Sequence, residues 1–184
     1  TVREVDIPAL EYSRPAWWGI APPEFAAAYA TDNVGLWRHG RPEPTFPAAS
    51  ARVRKASSRT LGTNIKEMLA LGTHLLETHS GYHYVRGRRL RALIRDQFDE
   101  ALREVDVLAA PATPTTALEI DGFERGVTPP VNWDTHPTNL TGHPSITVPC
   151  GTTGAGLPVG FQLMGAWNDE RTVIDAAHTY EAER

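Results

Sequence analysis

One cysteine, Cys150, stands in 184 residues, so no disulfide can form within the chain and a disulfide-stapled scaffold is excluded. No Cys/His spacing matches a zinc finger or ribbon either. The lack of bridges fits a reducing compartment, and a cytoplasmic location is the expectation. Long apolar runs are missing too. Stretches such as Val107 to Pro111 fall far short of the ~20 residues that a bilayer span needs. The opening Thr1-Val-Arg-Glu-Val-Asp6 has no basic segment followed by an apolar core, so no secretory signal is read there. Nor is there an excess of positive charge: 18 basic residues face 22 acidic ones, for a net charge of -4. Nucleic-acid binding rests on phosphate neutralisation, so that balance argues against such a partner. Neither nucleic acid nor membrane is expected to bind.

What is present is an ordinary folding composition, 41% hydrophobic and 22% charged. The length suggests one domain that buries about 70% of its unfolded surface. Thr1 is not an initiator Met, and Glu181-Ala-Glu-Arg184 reads as running helix, so the expectation over 1–184 is a single incomplete domain. Val2, Val5 and Ile7 suggest a short strand closed by Pro8. Pro22-Pro23-Glu24 reads as a helix start, with Phe25, Ala26, Tyr29 and Ala30 supplying an apolar face. Gly40, Pro42, Pro44 and Pro47 predict a surface loop over 35–58.

From about Thr63, helical spacing returns with Ile65, Met68, Leu69, Leu71, Leu75 and Leu76 on one stripe, and Gly81 marks a break. A second helix carries Leu90, Ile94, Phe98, Ala101 and Val105 in a row of i,i+4 steps with one i,i+3 step. Asp106 to Ala110 reads as a buried strand and Leu118 to Pro137 as loop. Strands are predicted over Ser145–Pro149 and Pro158–Met164, followed by a helix capped by Asp169 with Val173, Ile174, Ala177 and Tyr180 inward. The fold class is α/β, a mixed β-sheet covered by helices.

Familiar catalytic parts are absent. There is no Gly-x-Ser-x-Gly elbow, no Walker-type phosphate loop and no His-Glu-x-x-His helix. His79 and His83 stand at i,i+4 near His74, a spacing open to a shared metal or to plain packing, and no third ligand is evident. No metal is assigned. Cys150 has no electropositive neighbourhood in the sequence and reads as structural. Arg86, Arg88, Arg89, Arg91 and Arg95, backed by Asp96, Asp99 and Glu100, read as a solvated helix face with Arg95 and Asp99 at i,i+4.

Several stretches stand in an informative order: Leu71-Gly72-Thr73, Leu90-Arg-Ala-Leu-Ile-Arg95 with Phe98, and Val105-Asp-Val-Leu108 leading to Pro111-Ala-Thr-Pro-Thr-Thr-Ala117. Asn139-Leu-Thr-Gly-His-Pro144, Ile146-Thr-Val-Pro-Cys-Gly151 and Gly156-Leu-Pro-Val-Gly-Phe-Gln-Leu-Met-Gly165 follow. From about Gly62 to Tyr180 the chain resembles the C-terminal part of the amidase signature family, and the segment before Ala56 resembles the variable middle of such an enzyme. The resemblance implies a hydrolase acting on carboxamides through a serine acyl-enzyme, with a second serine in a cis peptide and a lysine as base. It implies no cofactor.

Those reactive groups belong to a Gly- and Ser-rich loop that these residues do not contain. Ser57-Ser58 has no flanking glycine, and Lys55 and Lys66 have no family counterpart. No catalytic residue is therefore assigned, and the segment alone is expected to be inactive. Its expected partners are the N-terminal catalytic half and, in the full enzyme, a small amide; a homo-oligomer is left open.

In the related A subunits of glutamyl-tRNA amidotransferases, the resemblance places a carboxylate-gripping basic residue just ahead of Leu-Gly-Thr. Met68 stands there instead. An amine-gripping acid falls near Asn132, with Asp134 two residues on. The substrate pocket is accordingly expected to be lined by Met68, Trp133 and Leu140, with polarity from Asn132 or Asp134. Gln162, on a strand where it alternates with Phe161 and Leu163, is expected to brace backbone at the active site unless that strand is an exposed edge. A non-enzymatic binding module reusing this half of the fold is the rival reading.

Overall fold

The structure, a computed structural model, describes residues 1–32, 43–119 and 133–183, and of residues 57, 58 and 133 the backbone only. The chain divides into two compact units, one of Thr1–Arg14 with Leu90–Arg184 and the other of Pro15–Arg89. Length alone suggests one domain; the division falls inside two long helices, where no Gly- or Pro-rich linker announces it.

The Pro15–Arg89 unit is helical. Helix α1 (Ser13–Ala30) enters it from its first turn, α2 (Thr45–Ser57) and α3 (Thr63–Glu77) follow, and the first half of α4 (Tyr82–Ala101) completes it. The helix expected to begin at Pro22 begins nine residues earlier, with Pro22 and Pro23 inside it and both fully buried. Ala16, Ile20 and Ala26 make a buried stripe that offsets the two backbone donors the prolines lack.

Close approach is the rule in this unit. A Cβ on Gly72 of α3 would overlap the Pro22 carbonyl of α1, and one on Gly87 of α4 would sit 3.0 Å from the Ala16 carbonyl. Tyr84 of α4 donates to Glu24 Oε1 of α1 at 2.9 Å. Of the loop predicted over 35–58, residues 35–42 lie outside those described, while Thr45–Ser57 is helix. Pro47 falls in its first turn, where proline is tolerated, and the Glu43 carboxylate accepts from the backbone N–H groups of Thr45 and Phe46. Arg54 of α2 pairs with Asp32 at 2.5 Å.

The other unit holds the sheet. Strands β1 (Leu108–Pro111), β2 (Ser145–Thr152) and β3 (Pro158–Met164) are arranged β1-β3-β2 and run antiparallel at both pairings. Alternation along β3 sorts its side chains. Phe161 and Leu163, with Ile146 and Val148 of β2, pack on Val173, Ala177 and Tyr180 of α6 (Glu170–Glu183). Gln162 points to the opposite face. The pairing skips Cys150 between Pro149 and Gly151, so the lone cysteine is the extra residue of a β-bulge, exposed, with Sγ 3.5 Å from the Val159 carbonyl.

The second half of α4 buries Ile94 and Phe98, at 0% and 1% exposure. Asp169 caps α6, accepting from the Thr172 N–H at 3.4 Å. The strand expected over residues 3–7 does not form: no edge among the described residues pairs with it, and Pro8 instead opens a 3-10 turn over Pro8–Tyr12. That turn is held by Gln97 of α4, whose Oε1 accepts from the Ala9 N–H at 2.8 Å. Among the described residues no helix is long and apolar enough to cross a membrane.

Candidate functional site

A short helix, α5 (His136–Thr141), carries three of the buried polar residues of its unit, His136, Thr138 and Thr141. It follows a 3-10 turn, Trp133–Thr135, and ends at Gly142. A helix of six residues has little stability of its own. Tertiary contacts hold it: His136, Pro137, Thr138, Leu140 and Thr141 are all buried. Gly142 adopts φ +80°, and a Cβ there would lie 3.1 Å from the Trp167 ring, so glycine answers both the left-handed turn and the close approach.

Two hydrogen-bonded chains lock the segment in place. In the first, Gln162 of β3, 2% exposed, donates from Nε2 to Thr138 Oγ1 at 3.3 Å, and the Thr138 hydroxyl donates to the Thr135 carbonyl at 3.3 Å. Asn139 donates to that same carbonyl at 2.9 Å. The first chain thus ties the middle strand of the sheet to the turn that contains Asp134.

In the second chain, the His143 ring bridges Asp99 Oδ1 of α4, 3.0 Å from Nε2, and Thr141 Oγ1, 2.9 Å from Nδ1. Thr141 Oγ1 also lies 3.0 Å from the Pro137 carbonyl. Trp167 donates its indole N–H to the Thr141 carbonyl at 3.1 Å and carries the Arg95 guanidinium over its ring at 3.8 Å. Arg95 also meets the other oxygen of Asp99 at 3.8 Å. The i,i+4 pair expected on a solvated helix face therefore shares its acid with a buried histidine.

Burial sets the protonation of this cluster. It pushes His143 below its ordinary value, against the Asp99 hydrogen bond, which favours the charged ring. Burial also lowers His136, with the positive charge of Arg14 adding to the effect. Desolvation raises the Asp134 carboxyl above the usual range.

Hydroxyl, imidazole and carboxylate in the line Thr141–His143–Asp99 have the order of a catalytic triad. Access separates the two cases. Thr141 is 0% exposed and the His143 side chain is likewise fully covered, so no substrate carbonyl reaches the hydroxyl. This is a structural relay.

Of the residues singled out from sequence, Asp134, Leu140 and Gln162 come together around α5. Asp134 is half-buried in the preceding turn and Leu140 is 5% exposed. Trp133 contributes its backbone to that turn, and Asn132 lies outside the described residues. Met68 is half-buried on α3, in the other compact unit.

Sequence reasoning passed over Thr138, Thr141, His143 and Asp99 as site elements. The available signal was local: Thr138, Thr141 and His143 cluster within six residues, but Asp99 is 44 residues from His143. His74, His79 and His83 stack edge to face, at 5.3 and 4.8 Å between neighbouring rings, which is a packed ladder.

Comparison with known proteins places this arrangement. The family model described as Amidase matches residues 1–174. The A subunit of a glutamyl-tRNA(Gln) amidotransferase from Methanosarcina mazei is 37% identical over 193 residues, covering 98% of this chain and 38% of the relative. The corresponding protein of Clostridium kluyveri is 34% identical, with 98% and 36% covered. The chain thus spans under two-fifths of the length of these curated relatives. Among solved structures, native peptide amidase from Stenotrophomonas maltophilia is similar at TM-score 0.64 and 27% identity, over 97% of this chain and 35% of that one. A bacterial aryl acylamidase of the amidase signature family, at TM-score 0.63 and 22% identity, shares the fold over 97% of this chain and 35% of its own. With a helix-rich α/β fold and a family match along nearly its whole length, the chain belongs to the amidase family.

Proposed function

We propose that these residues form the substrate-pocket wall and scaffold of an amide hydrolase whose reactive serine, second serine and lysine base reside on another stretch of polypeptide. The reaction is conversion of a carboxamide to a carboxylate and ammonia or amine through a serine acyl-enzyme. One observation carries the reading: the family model covers residues 1–174, yet the Gly- and Ser-rich loop of the family is not in these 184 residues. Among the described residues, the hydroxyl bonded to an imidazole in the α5 cluster is sealed from solvent.

Within that reading, Met68, Trp133 and Leu140 carry over from the resemblance as the lining of the substrate pocket, and Asn132 or Asp134 gives it polarity. Gln162 acts as a positioning residue for the Asp134 turn through Thr138. Substrate orientation is the contribution of this portion, and it lowers the barrier by holding the amide where the serine attacks.

A second reading, an amidotransferase A subunit, is favoured by the relatives at 34% and 37% identity that carry that name. Met68 weighs against it, because a thioether does not pair with the carboxylate of glutamine.

The purified 184-residue chain is expected to show no turnover on small amides; serine-dependent hydrolysis that persists through purification would overturn the assignment. Combined with the serine-loop portion, Asp134→Ala is expected to raise KM about tenfold with kcat little changed. Glutamine-driven ammonia release by that assembly would decide for the second reading.

A further inference from the structure

In the Asp99–His143–Thr141 cluster the ring and the hydroxyl are covered while the Asp99 carboxylate stays partly exposed. Thr141 has one hydroxyl proton and two acceptors within reach, the Pro137 carbonyl at 3.0 Å and His143 Nδ1 at 2.9 Å. Asp99, when ionised, only accepts, so Nε2 keeps its hydrogen whichever charge the ring carries. The state of Nδ1 then dictates where the hydroxyl proton goes.

With a neutral ring, Nδ1 is a bare lone pair and Thr141 donates to it, leaving the Pro137 carbonyl without its side-chain donor. With a charged ring, Nδ1–H donates to Thr141 Oγ1, and the hydroxyl proton returns to Pro137. We propose that His143 is a proton-sensitive clamp on α5, its buried ring joining this helix to α4 and switching the Thr141 hydroxyl between the ring and the first turn of the helix.

Among the described residues, the charged groups that act on His143 are Asp99 and Arg95, both on α4; the Phe98 and Trp167 rings lie 5.3 and 6.5 Å from it between centroids. Asp99 favours the charged ring, while burial and Arg95 favour the neutral one. Arg95 is in turn anchored over Trp167, which bonds to the Thr141 carbonyl, so its charge is held near the clamp. The clamp stands on this geometry alone. Its consequence for substrate, a shift of the Asp134 turn that precedes α5, rests on the pocket reading above.

Side-chain nitrogen NMR of His143 in the assembly with the serine-loop portion tests it. At pH 8 His143 is expected to be the Nε2–H tautomer. Thr141→Val, which keeps the shape and removes the hydroxyl, is expected to lower the His143 midpoint by about one pH unit, because the charged ring loses its acceptor inside a desolvated site. Thr141→Ser restores the hydroxyl and is expected to restore the midpoint.

Amide exchange supplies a second readout: in His143→Leu the Gly142 amide, bonded to the Thr138 carbonyl at 2.8 Å, is expected to exchange about tenfold faster while β2 and β3 amides keep their rates. An Nδ1–H tautomer, a midpoint indifferent to Thr141→Val, or unchanged Gly142 exchange would overturn the clamp. None of these readouts involves amide substrate, so they separate failure of the clamp from failure of the pocket reading.

Discussion

His143 and His136 show how much one buried ring does in this protein. Both give up their protons more readily in the folded chain than at the ordinary value of 6.5. Below about pH 6.5 the unfolded chain therefore binds more protons than the native one, and stability falls as the pH is lowered from there through the folded values. Denaturant midpoints at pH 8 and pH 5.5 are expected to show the loss, and a double His136→Gln, His143→Gln variant is expected to flatten this part of the profile. A midpoint that rises on acidification would contradict it. The neutral neighbour Phe98, 1% exposed and ring to ring with His143 at 5.3 Å, is a purely apolar anchor, and Phe98→Ala is expected to cost about 3–5 kcal/mol by chemical denaturation.

At the scale of elements, glycine decides how closely helices approach. Gly72 in α3 faces the Pro22 carbonyl and the Ala26 methyl group of α1, where an added Cβ has no room. Gly72→Ala is expected to destabilise by about 1–3 kcal/mol, since backbone cannot yield as a flexible side chain does. Gly154, in the turn between β2 and β3, has nothing within 4 Å of an added Cβ, and Gly154→Ala is expected to stay within about 0.5 kcal/mol. Thermal melts of the two variants check the contrast; equal effects would refute it. This contrast is partly visible in the sequence, since Leu71-Gly72-Thr73 stands out as a family-like turn. Its reality as mid-helix contact is not, because Pro22 is 50 positions away in sequence and its burial inside α1 runs against proline's own preference. The α2 helix shows the same limit: Pro44 and Pro47 read as loop, and only the Glu43 cap and the Arg54–Asp32 bond reveal why helix forms.

For the whole molecule, charge and apolar surface are unevenly shared. The Pro15–Arg89 unit has ten basic and five acidic residues, and the remainder has eight basic and seventeen acidic. The even balance of the full chain conceals two units of opposite sign. Apolar surface is open as well: on α3, Ile65, Met68, Leu69, Leu71, Leu75 and Leu76 are each only half-buried, and β1 and β2 are edge strands among the described residues. The isolated chain is expected to self-associate at concentrations on the order of tens of micromolar, through its open strand edges and apolar stripes. Light scattering checks this, and a monodisperse monomer at high concentration would refute it. Ammonium sulfate is expected to enlarge the assemblies, as apolar contact requires, whereas contact between the opposite charges would dissolve as salt rises.

Local chemistry was enough to determine the helices at α3, α4 and α6, the strands β2 and β3, and the family, because apolar spacing, caps and ordered motifs are written in neighbouring residues. It also determined that the family's serine loop is missing from these residues. Tertiary structure alone decided that Gln162 is spent on Thr138, that Asp99 serves His143 as well as Arg95, and that Thr141 is a sealed relay. Each of those depends on which distant side chains share a dry interior, where a single hydrogen bond or its loss outweighs any local preference.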